Sequence, residues 1–238
     1  MKHQILHTIY DIFETWSGDL DAACRRKCSG CCSQNVTMTA LEGEDILRYV
    51  LAEGMVDAFA GRIAAKKSHQ PPPMTTNDFA GACLEGRDVD PGDQPNLAVC
   101  PFLEGDLCTI YPARPFGCRL FVSTKRCSAS QPALVPDYYF EASTAVSQVI
   151  EHLGQKEYWG NMLDVLPALL DISEFKEIAD QLNNTSIIQA RLATLTAKPL
   201  PGFLLSEENG PQVIPLMEKI FNTTVEGKRI EDILNGKF

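Results

Sequence analysis

The stretch Cys24-Arg25-Arg26-Lys27-Cys28-Ser29-Gly30-Cys31-Cys32 carries four thiols within nine positions. Thiols this close together chelate zinc or iron with little loop-closure cost. Cys24 and Cys28 stand at i and i+4, so a short helix over Leu20–Lys27 would turn both to one side. The Ser29-Gly30 turn would then curl the backbone and bring Cys31 and Cys32 to the same ion. Arg25, Arg26 and Lys27 lower the thiol pKa and offset the charge of a thiolate site.

Downstream, Cys100 and Cys108 flank Glu104-Gly105-Asp106, which reads as the turn of a small hairpin within 99–111. Two ligands from the two arms of a hairpin fit that step. Cys118 follows in Tyr111-Pro-Ala-Arg-Pro-Phe-Gly-Cys118-Arg119, and Cys127 closes the series. Pro112 and Pro115 make their stretch a turn. Leu120–Ser123 is expected to return as a strand. Arg114 and Arg119 bracket Cys118, where they would balance thiolate charge or donate to sulfur.

All nine cysteines of the 238-residue chain fall between Cys24 and Cys127. This divides the chain into a cysteine module over 1–130 and a cysteine-free region over 131–238. An odd count cannot pair completely, and Cys31 next to Cys32 is a poor geometry for a disulfide. The start of the chain lacks the features of a secretion signal, and no apolar run approaches the roughly 18 residues of a membrane span. The expected location is the reducing cytoplasm, where thiols stay free for metal. His3, His7, His69 and His152 match no ligand spacing, so the expected site is sulfur-only. Cys83, in Ala-Gly-Ala-Cys83-Leu, reads as a buried structural thiol.

The formal net charge is −10, with 45% hydrophobic and 22% charged residues. That balance fits an ordinary globular protein and argues against binding nucleic acid or anionic membrane. Helices are expected at 4–16, at the capping box Thr39-Ala-Leu-Glu42, and over 55–67. Val36–Met38 reads as extended and 71–98 as irregular. Further helices are expected at 136–153, 156–171, 172–183, 185–196, 211–222 and 228–235. The fold class is mainly α, with a loop-rich α+β metal module containing one small hairpin.

The pattern Cys-x3-Cys-x2-Cys-Cys, followed by Cys-x-Phe-Leu…Cys-x-Ile-Tyr-x-x-Arg-Pro-x-x-Cys-Arg, resembles the YkgJ-like cysteine-cluster family, a zinc- or iron-chelating domain. The residues concerned are Cys24, Cys28, Cys31 and Cys32, then Cys100, Phe102, Leu103, Cys108, Ile110, Tyr111, Arg114, Pro115, Cys118 and Arg119. Members often carry one more cysteine, a place Cys127 fills. The resemblance covers about residues 20–130 and implies metal binding by eight cysteines.

Sulfur-only ligation suits an iron–sulfur cluster and zinc alike. The favoured expectation is an iron–sulfur cluster in a redox or electron-transfer role, working with a redox or other protein partner. The alternative is a zinc- or iron-chelating structural or metal-handling protein without catalysis. A third reading is a metal-dependent modifying enzyme similar to lysine N-methylases. Cys-x3-Cys-x2-Cys also occurs in radical enzymes that use S-adenosylmethionine. Gly30 stands where those carry an aromatic residue, however, and no strand–helix alternation follows. No acid–base pair, phosphate loop or nucleophile elbow stands out, so whether the chain is an enzyme stays open. If it is one, the metal or a redox thiol carries the chemistry.

Overall fold

The fold is that of a computed structural model, which describes residues 1–25, 27–66, 70–92, 97–128 and 131–237. The protein is mainly α. The first half holds α1 (Lys2–Ser17), α2 (Ala40–Ala52), α3 (Val56–Ala64), α4 (Thr76–Leu84) and the short α5 (Phe116–Arg119). The second half holds α6 (Asp137–Leu153), α7 (Met162–Ala168), α8 (Lys176–Ala179), α9 (Asn184–Leu192), α10 (Gly210–Asn222) and α11 (Ile230–Leu234). No helix among the described residues is long and apolar enough to cross a membrane.

Helix α1 buries Ile5, Leu6, Ile9, Tyr10 and Phe13, a stripe at helical spacing. That stripe packs into one hydrophobic cluster with α6, α10 and α11, and Phe116 joins it. A second cluster gathers α2, α3, α7 and α8 around Phe59, Leu166 and Phe175, with Phe102 and Ile110 from the cysteine-bearing segment. Each cluster draws residues from both sides of position 130. Helix α2 begins with both halves of a capping box. Thr39 Oγ1 accepts from the Glu42 amide, and the Glu42 carboxylate accepts from the Thr39 amide.

The strands are short and antiparallel. Strand β1 (Thr37–Thr39) pairs with β4 (Tyr158–Asn161), which pairs with β5 (Leu195–Thr196). Strands β2 (Leu103–Glu104) and β3 (Leu107–Cys108) form the hairpin expected around Gly105-Asp106. Both turn residues have positive φ, 51° and 66°, the pattern of a two-residue type I′ turn. Strands β6 (Thr224–Val225) and β7 (Lys228–Arg229) form another hairpin across Glu226-Gly227.

Several sequence expectations are corrected. The described residues of the span Leu20–Lys27 form no helix. The Ala23 amide donates to Ser123 O at 2.7 Å, and Lys27 takes a left-handed φ of 71°, so no helical ladder runs through Cys24. Leu120–Ser123 forms no strand: the Leu120 amide turns back to Phe116 O, Leu120 O accepts from Tyr139 Oη, and Ser123 bonds Ala23 and Leu134, so no ladder forms. The segment 71–98 is not wholly irregular. Thr75 caps α4 by accepting from the Asp78 amide, a Thr-x-x-Asp signal hidden among prolines and glycines.

The helix expected over 156–171 starts only at Met162. Lys156 has a φ of 73°, and Tyr158–Asn161 is a strand held between β1 and β5. Asn161 then caps α7 through the Leu163 amide. The stretch 172–183 breaks into a 3-10 turn and the short α8. The helix expected over 228–235 begins only at Ile230, after the β6–β7 hairpin takes up Lys228–Arg229.

Candidate metal centre

Two segments far apart in sequence run side by side beneath the first thiols. The bond from the Ala23 amide to Ser123 O ties the residue before Cys24 to the loop that carries Cys127. Ser123 is buried, and its Oγ accepts from the Leu134 and Lys125 amides, so the loop is fixed from within. From Cys24 the chain makes two successive tight turns. The Cys28 amide donates to Arg25 O and the Cys32 amide to Ser29 O, each at 2.9 Å. Ser29 Oγ donates to Asp106 Oδ1 at 2.6 Å, which fastens the second turn to the tip of the β2–β3 hairpin.

A second junction lies just beyond. The Cys100 amide donates to Cys32 O and the Gln34 amide to Ala98 O, both at 2.9 Å, with Ser33 bridged to Val99 between them. The Leu103 amide returns to Cys100 O, and Leu103 pairs with Cys108 across the hairpin. Cys100 and Cys108 pack against the second hydrophobic cluster. Arg62 on α3 anchors this hairpin, donating to Pro101 O at 2.9 Å and pairing with Glu104.

Cys118 rides on α5, whose position is set by packing. A Cβ added at Gly117 would meet Thr37 O at 2.8 Å, so only glycine lets α5 lie this close to β1. The Phe116 amide donates to Glu42 Oε1 at 2.7 Å. The Phe116 ring packs between Tyr10 and Phe13, with centroids 6.1 and 4.9 Å away.

Four segments carry eight of the nine cysteines, and all nine are free thiols. Cys28 and Cys31 are exposed and the others half-buried. Burial pushes the Cys24 thiol up, and the neighbouring thiols Cys28, Cys31 and Cys127 push it further. Burial also raises Cys118, reinforced by Cys100, Cys108 and Cys31. The side-chain hydrogen bond between Cys31 and Cys32 holds Cys32 below the usual thiol range and Cys31 above it. Burial raises Cys100 and Cys108, opposed by the Arg62 charge at both and by Arg114 at Cys108. Cys83 sits half-buried on α4.

The arginines around Cys118 hold its loop. Arg119 donates to Arg114 O at 3.0 Å and Pro112 O at 3.2 Å, pairs with Glu14 of α1, and lies 4.4 Å over the Tyr10 ring. Arg114 donates to Tyr111 O at 3.0 Å and covers the Tyr111 ring at 3.9 Å. The imidazoles are engaged elsewhere. His3 and His7 face Asp45, and His152 bonds Leu200 N and Leu234 O. His69 lies outside the described residues.

Among the described residues, no three His, Cys, Asp or Glu side chains already stand close enough to hold a metal ion. The donor chemistry nevertheless fits zinc or an iron–sulfur cluster. The donors are thiols only, carried on tight turns, a hairpin arm and a four-residue helix, all of which place side chains at short spacing.

The family described as "putative zinc- or iron-chelating domain", with the signature CxxCxxCC, matches residues 23–134. The chain departs from the printed signature in one place, with three residues rather than two between Cys24 and Cys28. The match supports metal binding and leaves zinc and iron both open. Comparison with curated proteins found no match. Comparison with solved structures found none either.

Proposed function

We propose that the protein is a cysteine-ligated iron–sulfur protein with an electron-transfer role. The observation that carries this reading is that the backbone bonds from Ala23 to Ser123 and from Cys100 to Cys32 join cysteine-bearing segments far apart in sequence, with the described histidines engaged elsewhere. An iron–sulfur cluster, when bound, supplies a one-electron site. The chain's own part is to supply the thiolates and to hold them near the surface, where exposed Cys28 and Cys31 leave little protein between the site and a redox partner. Arg25, Lys27, Lys125 and Arg126 are exposed beside Cys24 and Cys127 and offset thiolate charge. Nine free thiols suit a reducing compartment, so the cytoplasm is the proposed location.

Oxygen-free purification tests this reading. The expected product is brown, with visible absorbance and acid-labile sulfide in step with iron. A colourless protein carrying zinc alone would instead identify a zinc-chelating structural module.

A further inference from the structure

We infer that the eight thiols form two separate four-sulfur sites, one of Cys24, Cys28, Cys31 and Cys127, the other of Cys32, Cys100, Cys108 and Cys118. The division rests on the metal-binding reading above and deepens it. The sequence places Cys31 and Cys32 in one motif, and spacing alone would give both to one ion. Their sulfurs share a hydrogen bond, yet the backbone ties Cys32 to Cys100 and leaves Cys31 within the Ser29–Cys32 turn.

The first site is built at the bond from the Ala23 amide to Ser123 O, which brings the Cys24 turn and the Cys127 loop together. Cys28 lies on the turn closed onto Arg25 O, and Cys31 within the next. Cys24 accordingly has Cys28, Cys31 and Cys127 as its thiol neighbours. The second site is built at the Cys32–Cys100 backbone bond, with Cys108 on the neighbouring hairpin arm and Cys118 on α5. Cys32 has Cys100, Cys118 and Cys108 as its neighbours beyond Cys31.

Cys31 stands near both Cys24 and Cys118. Cys32, Cys100, Cys108 and Cys118 would supply the four sulfurs of one site, which leaves Cys31 to complete the other set. Each site also has its own cations. Arg25, Lys27, Lys125 and Arg126 are exposed around the first, while the Arg62 and Arg114 charges act on the second. The peptide bond between Cys31 and Cys32 joins the two sites.

The test is a titration of the reduced, metal-free full chain with cadmium, without oxygen. A metal-buffering chelator is included so that only four-sulfur sites fill, and thiolate-to-cadmium absorbance is followed. The expected uptake is two equivalents per chain, with one lost on either Cys31→Ser or Cys32→Ser. The pair Cys24→Ser with Cys127→Ser breaks one site twice and should retain one equivalent. The pair Cys24→Ser with Cys118→Ser breaks both sites and should retain none. Saturation of the natural chain at one equivalent would overturn the division, as would equal losses in the two double variants. No uptake by a natural chain with an intact far-UV dichroism spectrum would overturn the metal reading itself. If a double variant fails to fold, the exposed Cys28→Ser single variant serves. It should retain one equivalent, and loss of both would overturn the division.

Discussion

Glu42 Oε1 accepts a hydrogen bond from the Phe116 amide at 2.7 Å, linking the first turn of α2 to the helix that carries Cys118. The carboxylate is buried and also accepts from Tyr10 Oη at 2.8 Å, from the Thr39 amide at 2.8 Å and from Thr39 Oγ1 at 3.0 Å. Burial raises its pKa, and the four donors pull the other way. Replacing Glu42 by Gln would point an amide N–H₂ at groups that are themselves donors. A buried donor left unpaired costs about 1–3 kcal/mol. Glu42→Gln should therefore lose about that much stability in urea unfolding and weaken metal retention at Cys118. Unchanged stability would contradict this role.

Phe116 is the apolar half of the same link, buried against Tyr10 and Phe13. Phe116→Ala should cost about 3–5 kcal/mol, the usual range for removing a buried aromatic ring. Thermal unfolding with and without bound metal would read it. A loss confined to the metal-bound form would show that the ring serves only the site.

Gly117→Ala tests the approach of α5 to β1. The added methyl would meet Thr37 O at 2.8 Å, and a backbone atom cannot swing away. Overpacking of this kind costs about 1–3 kcal/mol. The variant should be less stable and lose metal faster to a chelator. A stable variant with natural metal retention would contradict the packing described.

His3 gives a pH dependence with a definite sign. Its Nδ1 lies 2.7 Å from Asp45 and its Nε2 3.0 Å from Glu44, and these bonds, Asp45 first, raise its pKa from 6.5 to about 9 against burial and the nearby Arg48. The raised folded pKa contributes stability that is complete below about pH 6.5 and is lost as pH rises through about 9. His7 and Glu174 belong to the same charge network. Because thiols also titrate in this window, the natural chain should be compared with His3→Gln. Their stability difference should shrink between pH 6.5 and 10. A difference independent of pH would count against the His3 ion pairs.

Much of the fold can be read from local signals. The stripe from Ile5 to Phe13, the Thr39–Glu42 capping box and the Gly105-Asp106 turn each announce their element. The misreadings arise where distant partners override local pattern. Tyr158–Asn161 continues a helical apolar pattern, yet it becomes a strand because β1 and β5 supply its hydrogen bonds. The i, i+4 spacing of Cys24 and Cys28 suits a helix, but Ser123 takes the Ala23 amide. The eight cysteines were visible as a group. Which neighbours each has depends on the Cys32–Cys100 and Ala23–Ser123 bonds, and no spacing encodes those. Glu42 was legible only as a cap, since its bonds to Tyr10 and Phe116 join residues far apart in sequence.

Metal should also protect the turns that carry it. Arg25, Lys27, Lys125 and Arg126 are exposed on irregular backbone, so they are open to trypsin. Chelation should speed cleavage there while leaving the helices of the two hydrophobic clusters intact. Equal cleavage rates with and without metal would mean that these turns do not close on it.

The most direct test is the elemental content of the full chain purified without oxygen, set beside Cys24→Ser and Cys118→Ser. The account predicts iron and acid-labile sulfide in equal amounts in the natural chain, with a visible absorbance that falls in each variant, while Cys83→Ser keeps both. Zinc alone, or iron and sulfide unchanged in all three variants, would contradict it.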